Sequence, residues 1–360
     1  MENGKVRHMF PGGNTSKGFY SYYDYILPQE AAERIFIIKG GPGTGKSTFM
    51  KYIANELLKN GYDIELMHCS SDPDSLDAIV APALKIAMLD GTAPHAVEPK
   101  NPGAVDEIIN LGEYWDETGM RSRRNEVLIL NAEKGELFKR AYRYLAAAAS
   151  VYSDNVEIYK KAVDLQTIYR KAELIIHAHF SDDVITENGG GLRKLFATAI
   201  TPVGLKSFLT SVLNTEKIVL LKGEAGTGTE VLLERVKEHA LMCGYYTEAF
   251  YCALNPEKLE HLVIPEKNLS IAACNNYHTI VSAENEIIDT NEFYDPDMVS
   301  ERKDIIEYNR LEFEGLLNRS IMTLEQAKRM HSELEACYAP DMNFAGIDAL
   351  KARILERIIV

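Results

Sequence analysis

A chain of 360 residues, 46% hydrophobic and 26% charged, has a globular composition and the length of about two ordinary domains. A formal net charge of −14 argues against nucleic-acid binding through a general basic surface, and the local run Arg121-Ser122-Arg123-Arg124 more commonly marks the solvated start of a helix. Five cysteines without a C-x-x-C pair argue for reduced thiols and against a zinc site, and with no signal-like N-terminus or membrane-length apolar run the expectation is a cytoplasmic protein without a membrane partner.

In chain order, the first distinctive stretch is Pro11-Gly12-Gly13-Asn14-Thr15-Ser16-Lys17. It reads as a solvated N-terminal loop, or as a source of donors to phosphate or a second substrate. A lead-in helix is expected at about residues 20–27. The β-branched and aromatic run Ile35-Phe36-Ile37-Ile38 then predicts a buried strand. Gly40-Gly41-Pro42-Gly43-Thr44-Gly45-Lys46-Ser47 follows at once and fits G-x-x-x-x-G-K-[ST]. Phe49, Ile53 and Leu57 recur at helical spacing, and Asn60-Gly61 closes the helix.

The order of these residue types has a chemical reason. Glycines let backbone N–H groups wrap a phosphate, and the helix that follows turns its positive end to the same anion. Lys46 reaches β- and γ-phosphates, and the Ser47 hydroxyl can ligate Mg²⁺. The candidate nucleotide-binding residues are Gly41, Pro42, Gly43, Thr44, Gly45, Lys46, Ser47 and Thr48.

A second strand is expected at residues 63–69, ending in Ser70, Ser71 and Asp72, where open α/β sheets bind ligands. Asp72 or Asp74 can orient an acceptor or a water, although carboxylates in such a turn usually cap it. A third apolar run at residues 85–89 leads into Asp90, the candidate second metal ligand and catalytic carboxylate beside Lys46. Residues 118–180 turn helical and charge-rich, which predicts an antiparallel helical pair appended to this core. Residues 181–192 gather turn formers and read as a linker.

The remainder repeats this plan. Gly223 and Gly228 stand 183 positions after Gly40 and Gly45, and Cys69, Pro73, Leu76 and His95 fall on Cys252, Pro256, Leu259 and His278 at that displacement. The Arg7-His8-Met9-Phe10 segment falls on Arg193-Lys194-Leu195-Phe196, and Arg140 and Tyr159 fall on Arg319 and Tyr338. The expected fold is α/β: a tandem duplication of mostly parallel-sheet domains, 1–180 and 193–360, each with appended helices (about 118–180 and 298–360).

A duplication carries its own control, because scaffold residues survive in both halves while chemistry can be lost from one. The second glycine loop has Thr229 and Glu230 where the first has Lys46 and Ser47, and Ala273 where the first half has Asp90. A carboxylate at that helix start repels a triphosphate. One nucleotide per chain is therefore expected, bound by the first half, with the second copy degenerate. Residues retained in both halves, such as His95 and His278, read as architectural.

On the loop at residues 40–47 and the strand-end Asp90, the first half resembles the P-loop NTPase superfamily. The whole chain resembles a bacterial family of tandem P-loop proteins described only as ATPases or nucleotide-kinase-like, through residues 7–19, the glycine loop and Leu89-Asp90-Gly91-Thr92-Ala93-Pro94-His95. The resemblance implies Mg-dependent binding of ATP and its hydrolysis. ATP is preferred to GTP because no N/T-K-x-D guanine motif occurs. No glutamate base follows Asp90, which keeps a small-molecule or nucleotide kinase and a nucleotide-dependent switch that docks a protein as alternatives. Arg121, Arg123, Arg124, Arg302 and Arg319 are candidates for an arginine completing the site.

Overall fold

A computed structural model describes residues 3–93, 96–280 and 286–359. Its first half runs β1 (Val6–Met9), β2 (Gly12–Thr15), β3 (Gly18–Ser21), β4 (Arg34–Lys39), α1 (Lys46–Lys59), β5 (Ile64–His68), β6 (Leu76–Ala81), β7 (Ile86–Asp90) and β8 (Asp106–Asn110). The helices α2 (Glu117–Ser122), α3 (Arg124–Ala162) and α4 (Leu165–Phe180) follow. The second half repeats the order with β9 (Leu192–Leu195), β10 (Thr198–Thr201), β11 (Gly204–Ser207), α5 (Leu209–Val212), β12 (Lys217–Lys222), α6 (Thr229–Met242), β13 (Thr247–Tyr251), β14 (Leu259–Ile264), β15 (Leu269–Cys274) and β16 (Glu286–Asp289). It closes with α7 (Pro296–Ser300), α8 (Lys303–Tyr338) and α9 (Phe344–Ile359).

Each half carries a mixed six-stranded sheet, ordered β1-β5-β6-β7-β4-β8 and β9-β13-β14-β15-β12-β16. The expectation of parallel sheets is corrected at β6 and β14, which run antiparallel to both neighbours. The reason is connection length. Pro82 to Lys85 form a single 3₁₀ turn closed by Lys85 in the left-handed region, too short for a helical crossover between parallel strands. Both inserted strands are buried along their whole length, so their apolar runs do not alternate.

The first lead-in helix is also corrected, whereas the second, expected at about residues 205–213, is present in part as α5. Residues 12–21 form the β2–β3 hairpin, turned at Gly18 (φ +92°), and the only helical piece here is a 3₁₀ turn at Tyr23–Tyr25. The Thr15 hydroxyl donates to the Gly18 carbonyl and accepts from Lys17 N–H, which fixes the turn and leads Tyr20 and Ser21, expected in the helix, into β3.

The largest correction concerns the helices. α3 is one continuous helix of 39 residues, a length of roughly 58 Å at helical rise. Its antiparallel partner is α8 of the other half: Asn309 donates to Asn155 (2.9 Å), Ser320 to the Ala141 carbonyl (3.0 Å) and Arg123 to the Cys337 carbonyl (3.1 Å). At the far ends the short helices change sides. Ile168, Ala172, Ile175 and Phe180 of α4 pack into the core of the second half with Val219, Leu232 and Val236. Ile347, Ile354 and Ile358 of α9 cover Phe36, Phe49, Ile53 and Leu57 of the first. The helical, charge-rich pattern was visible in the sequence, but such a pattern does not say which core a helix faces.

The halves meet about a pseudo-twofold axis. Phe10 and Phe196 exchange backbone hydrogen bonds (2.9 and 3.0 Å). Beside them Arg7 and Arg193 each pair with both Glu65 and Glu248, at 2.6 to 3.2 Å. Burial opposes the Glu248 charge, but the two guanidinium groups outweigh it and hold its carboxyl below the ordinary range.

Candidate functional site

The first glycine loop joins β4 to α1, and Gly43 (φ +69°) and Gly45 (φ +88°) occupy the left-handed region. Gly226 (φ +95°) and Gly228 (φ +98°) repeat the shape in the second half. The two loops share a backbone and differ in side chains.

Around the first loop the predicted residues come together. Lys46 Nζ donates to the carbonyls of Gly40 (3.0 Å) and Gly41 (2.8 Å) and lies 3.6 Å from Asp90 Oδ2. β4 and β7 are parallel neighbours with Ile38 opposite Asp90, so Asp90 ends its strand beside the loop. Asp90 Oδ1 accepts from Thr92 N–H (2.9 Å). Ser47 Oγ accepts from Leu76 N–H (3.0 Å), and the Thr44 hydroxyl donates to the Gly41 carbonyl (2.8 Å). Pro42 is half-buried and Thr48 exposed.

The loop is roofed by α8. A Cβ on Gly41 would lie 2.4 Å from the Tyr338 ring, and one on Gly43 would lie 2.8 Å from the Glu335 carbonyl, so helix and loop approach closer than any other residue allows. The Gly43 backbone N–H lies close enough to the Glu335 carboxyl to favour its charged form. Burial first, and the Asp72 carboxylate next, push its pKa up. Asp72 pairs with Lys328 at 2.7 Å; burial opposes its ionisation, but bonds from Lys328 and Ser75 bring its pKa down. Burial, with Lys134 and Lys46 beside it, lowers His331 to about 4, leaving a neutral imidazole at neutral pH. Lys134 is lowered by burial and by Lys46.

Lys134, Lys328, His331, Glu335 and Tyr338 were not anticipated from sequence, since they come from helices whose packing partner could not be read. A signal existed. At the helical displacement of 179 (Tyr159 to Tyr338), the four charged or titratable residues fall on Phe313, Ala149, Tyr152 and Val156. At these four positions charged or titratable residues lie near the loop of Lys46, and apolar or aromatic ones near the other loop.

Other candidates fall elsewhere. Residues 11–17 form no solvated loop and approach no first-loop residue by hydrogen bond among the described residues. Asn14 is fully buried, bonded to the carbonyls of Ser70 and Ile200, and Ser16 and Lys17 bond to Leu254 and Glu257 of the second half. Asp74 offers only its carbonyl, to Lys51. Arg121 pairs with Glu117, Arg123 with Asp341, and Arg124 with Asn125. Arg319 and Arg302 precede Glu335 by roughly 24 and 50 Å along the helical rise. The basic groups at the site are lysines. His95 lies outside the described residues.

The second loop opens on a cavity of about 490 Å³ between the second sheet and the helices α3 and α8. Gly226, Tyr152, Val156, Phe313 and Tyr277 line it, and Glu230 faces into it, its pKa raised by burial. Comparison with protein-family models, curated proteins and solved structures gave no match for the chain.

Proposed function

We propose that the first half binds Mg-ATP and hydrolyses it, with the second half as a fixed partner whose helix α8 roofs the site. The observation that carries this reading is the 3.6 Å approach of Lys46 to Asp90 at the ends of adjacent parallel strands, directly behind a loop with two left-handed glycines. Lys46 supplies the charge for β- and γ-phosphates and loop N–H groups cradle them, while Lys134 adds a second cation from α3. The Ser47 hydroxyl and Asp90 carboxylate are hard oxygen donors that fit Mg²⁺, which when bound neutralises phosphate charge. Asp72 and the neutral His331 are the groups available to orient an attacking water.

The test is ATP binding and phosphate release by the purified chain and by Lys46→Ala. Lys46→Ala should weaken ATP binding at least tenfold, about 1.4 kcal/mol, and abolish release. Equal binding by both proteins rejects the site.

A second reading, a nucleotide-dependent switch, is favoured by Glu335. Its backbone abuts Gly43 and its carboxylate faces the Gly43 N–H that an anionic phosphate would need, so in this reading ATP entry draws the end of α8 away. Because α8 belongs to the other half, that withdrawal changes how the halves sit together. ATP-dependent protease protection at residues 328–343 with little turnover would select this reading over steady hydrolysis.

A further inference from the structure

The second half carries a cluster that neither a nucleotide site nor simple packing uses. On β13 and β14, Phe250 pairs with His261 and Tyr251 with Leu259, which leaves Glu260 as the extra residue of a β-bulge. Bulges re-aim side chains, and this one brings consecutive residues Glu260 and His261 to one point. His278 arrives from the turn after β15, held by backbone bonds with Asn275 in both directions and by the Asn275 side chain. Each of the three side chains offers one ligand atom within 4.8 Å of the other two. Among the described residues no other group of His, Cys, Asp and Glu meets that spacing.

The cluster is buried, with Glu260 2%, His261 1% and His278 7% exposed. Buried polar atoms are ordinarily hydrogen-bonded. Among the described residues, both ring nitrogens of His261 and Nδ1 of His278 find no hydrogen-bond partner. Glu260 Oε2 lies 2.8 Å from His278 Nε2, while Lys258 donates to the other carboxylate oxygen at 3.2 Å. The His261 and His278 rings are perpendicular (87°) with centroids 5.1 Å apart, so they do not stack. Donors bound at roughly 2.0–2.2 Å to one ion stand about 2.8–3.6 Å from each other, and the carboxylate–imidazole separation lies at the short end of that range.

We propose that Glu260, His261 and His278 form a binding site for a divalent first-row transition metal of the zinc and cobalt type. Two imidazoles and one carboxylate are the ligand set such ions favour. The ion satisfies a His261 nitrogen and Glu260 Oε2, and Lys258 takes the place of a hydrogen-bonded partner holding the carboxylate in orientation. Glu260, His278 and Asn275 line the cavity beside the second glycine loop, so the remaining coordination position opens into that cavity. The site lies in the half without Lys46 or Asp90, and in the first half Ala78 stands at the position of His261. The metal site is therefore separate from the candidate nucleotide site.

The experiment uses the full chain, stripped with chelator and titrated with CoCl₂ and then ZnCl₂. One equivalent of Co²⁺ per chain, with visible d–d absorption, no thiolate charge-transfer band and displacement by Zn²⁺, is expected. His261→Ala and His278→Gln should each weaken binding at least tenfold. No saturable binding, a thiolate band, or unchanged stoichiometric binding in His261→Ala overturns the proposal. Should either variant fail to fold, histidine ring ¹⁵N spectra of the unaltered chain decide: Zn²⁺ must shift two of its nine histidines and leave the others in place. A shift at no histidine overturns it as firmly.

Discussion

Glu335 of α8 lies against the first glycine loop, its carbonyl where a Cβ on Gly43 would have to go. Its carboxylate faces the Gly43 N–H, while burial and the neighbouring Asp72 charge disfavour its ionised form. A carboxylate there competes with phosphate for the same donor and repels it besides. Glu335→Gln removes the charge at constant size, and ATP affinity should rise roughly tenfold, since a hydrogen bond to a charged group is worth about 1.5–3 kcal/mol. Fluorescent-nucleotide titration checks this, and unchanged affinity would show that α8 does not gate the loop. The residues contributed by the loop and by β7 were legible because the loop supplies them consecutively and one strand end adds Asp90. Those from α3 and α8 were not, because local pattern carries no record of which helix lies over which loop. The repeat held that information in another form, in charges present near one loop and replaced by Phe313, Ala149, Tyr152 and Val156 near the other.

At the level of elements, β1 and β5 are joined by more than their parallel ladder. His8 Nδ1 and His68 Nε2 stand 2.9 Å apart under the Phe208 ring, and the other nitrogen of His68 meets the Pro73 carbonyl at 2.8 Å. Burial is the main cause that brings His68 down to about 4 from 6.5, against the bond to Pro73 and with help from His8. The folded pKa is thus below the unfolded one, so protons favour the unfolded chain. Stability is complete above pH 6.5 and is lost as pH falls from 6.5 towards 4, by up to about 3 kcal/mol from this group. Urea midpoints measured across that window should fall with acid in the native chain, and His68→Gln should flatten the slope. An equal slope in both proteins would place the acid sensitivity elsewhere. Strand and helix types were readable here from β-branched runs and helical spacing. β6 was missed because a fully buried strand does not alternate, and the first hairpin was missed because Phe19 and Tyr20 suit a helix as well as a strand.

For the molecule as a whole, the question is whether half of the sequence is also half of the structure. The sequence repeat divides the chain near residues 181–192, yet the first core is closed by α9 from the far end. Met342, Ile347, Ile354 and Ile358 are all buried in that core. At about 1.5–3 kcal/mol for each buried side chain, they contribute roughly 6–12 kcal/mol, comparable with the whole stability of an ordinary protein. The buried charges point the same way, since Glu65 in the first half is paired with Arg193 as well as Arg7, and a half chain leaves Arg7 and Glu65 without the second pair. Residues 1–180 alone should therefore not form a stable folded monomer. They do contain α4, which corresponds to α9 through the pairs Ile168 with Ile347 and Ile175 with Ile354. Two copies can exchange α4 as the halves exchange helices in the intact chain, with Arg7 and Glu65 meeting their own symmetry mates. Sedimentation of the fragment should show a dimer or an unfolded chain, and addition of residues 181–360 should convert it to a one-to-one complex with the far-UV spectrum of the intact protein. A cooperative, folded monomer of 1–180 would mean that its core closes without α9, and that the helix exchange contributes little to stability.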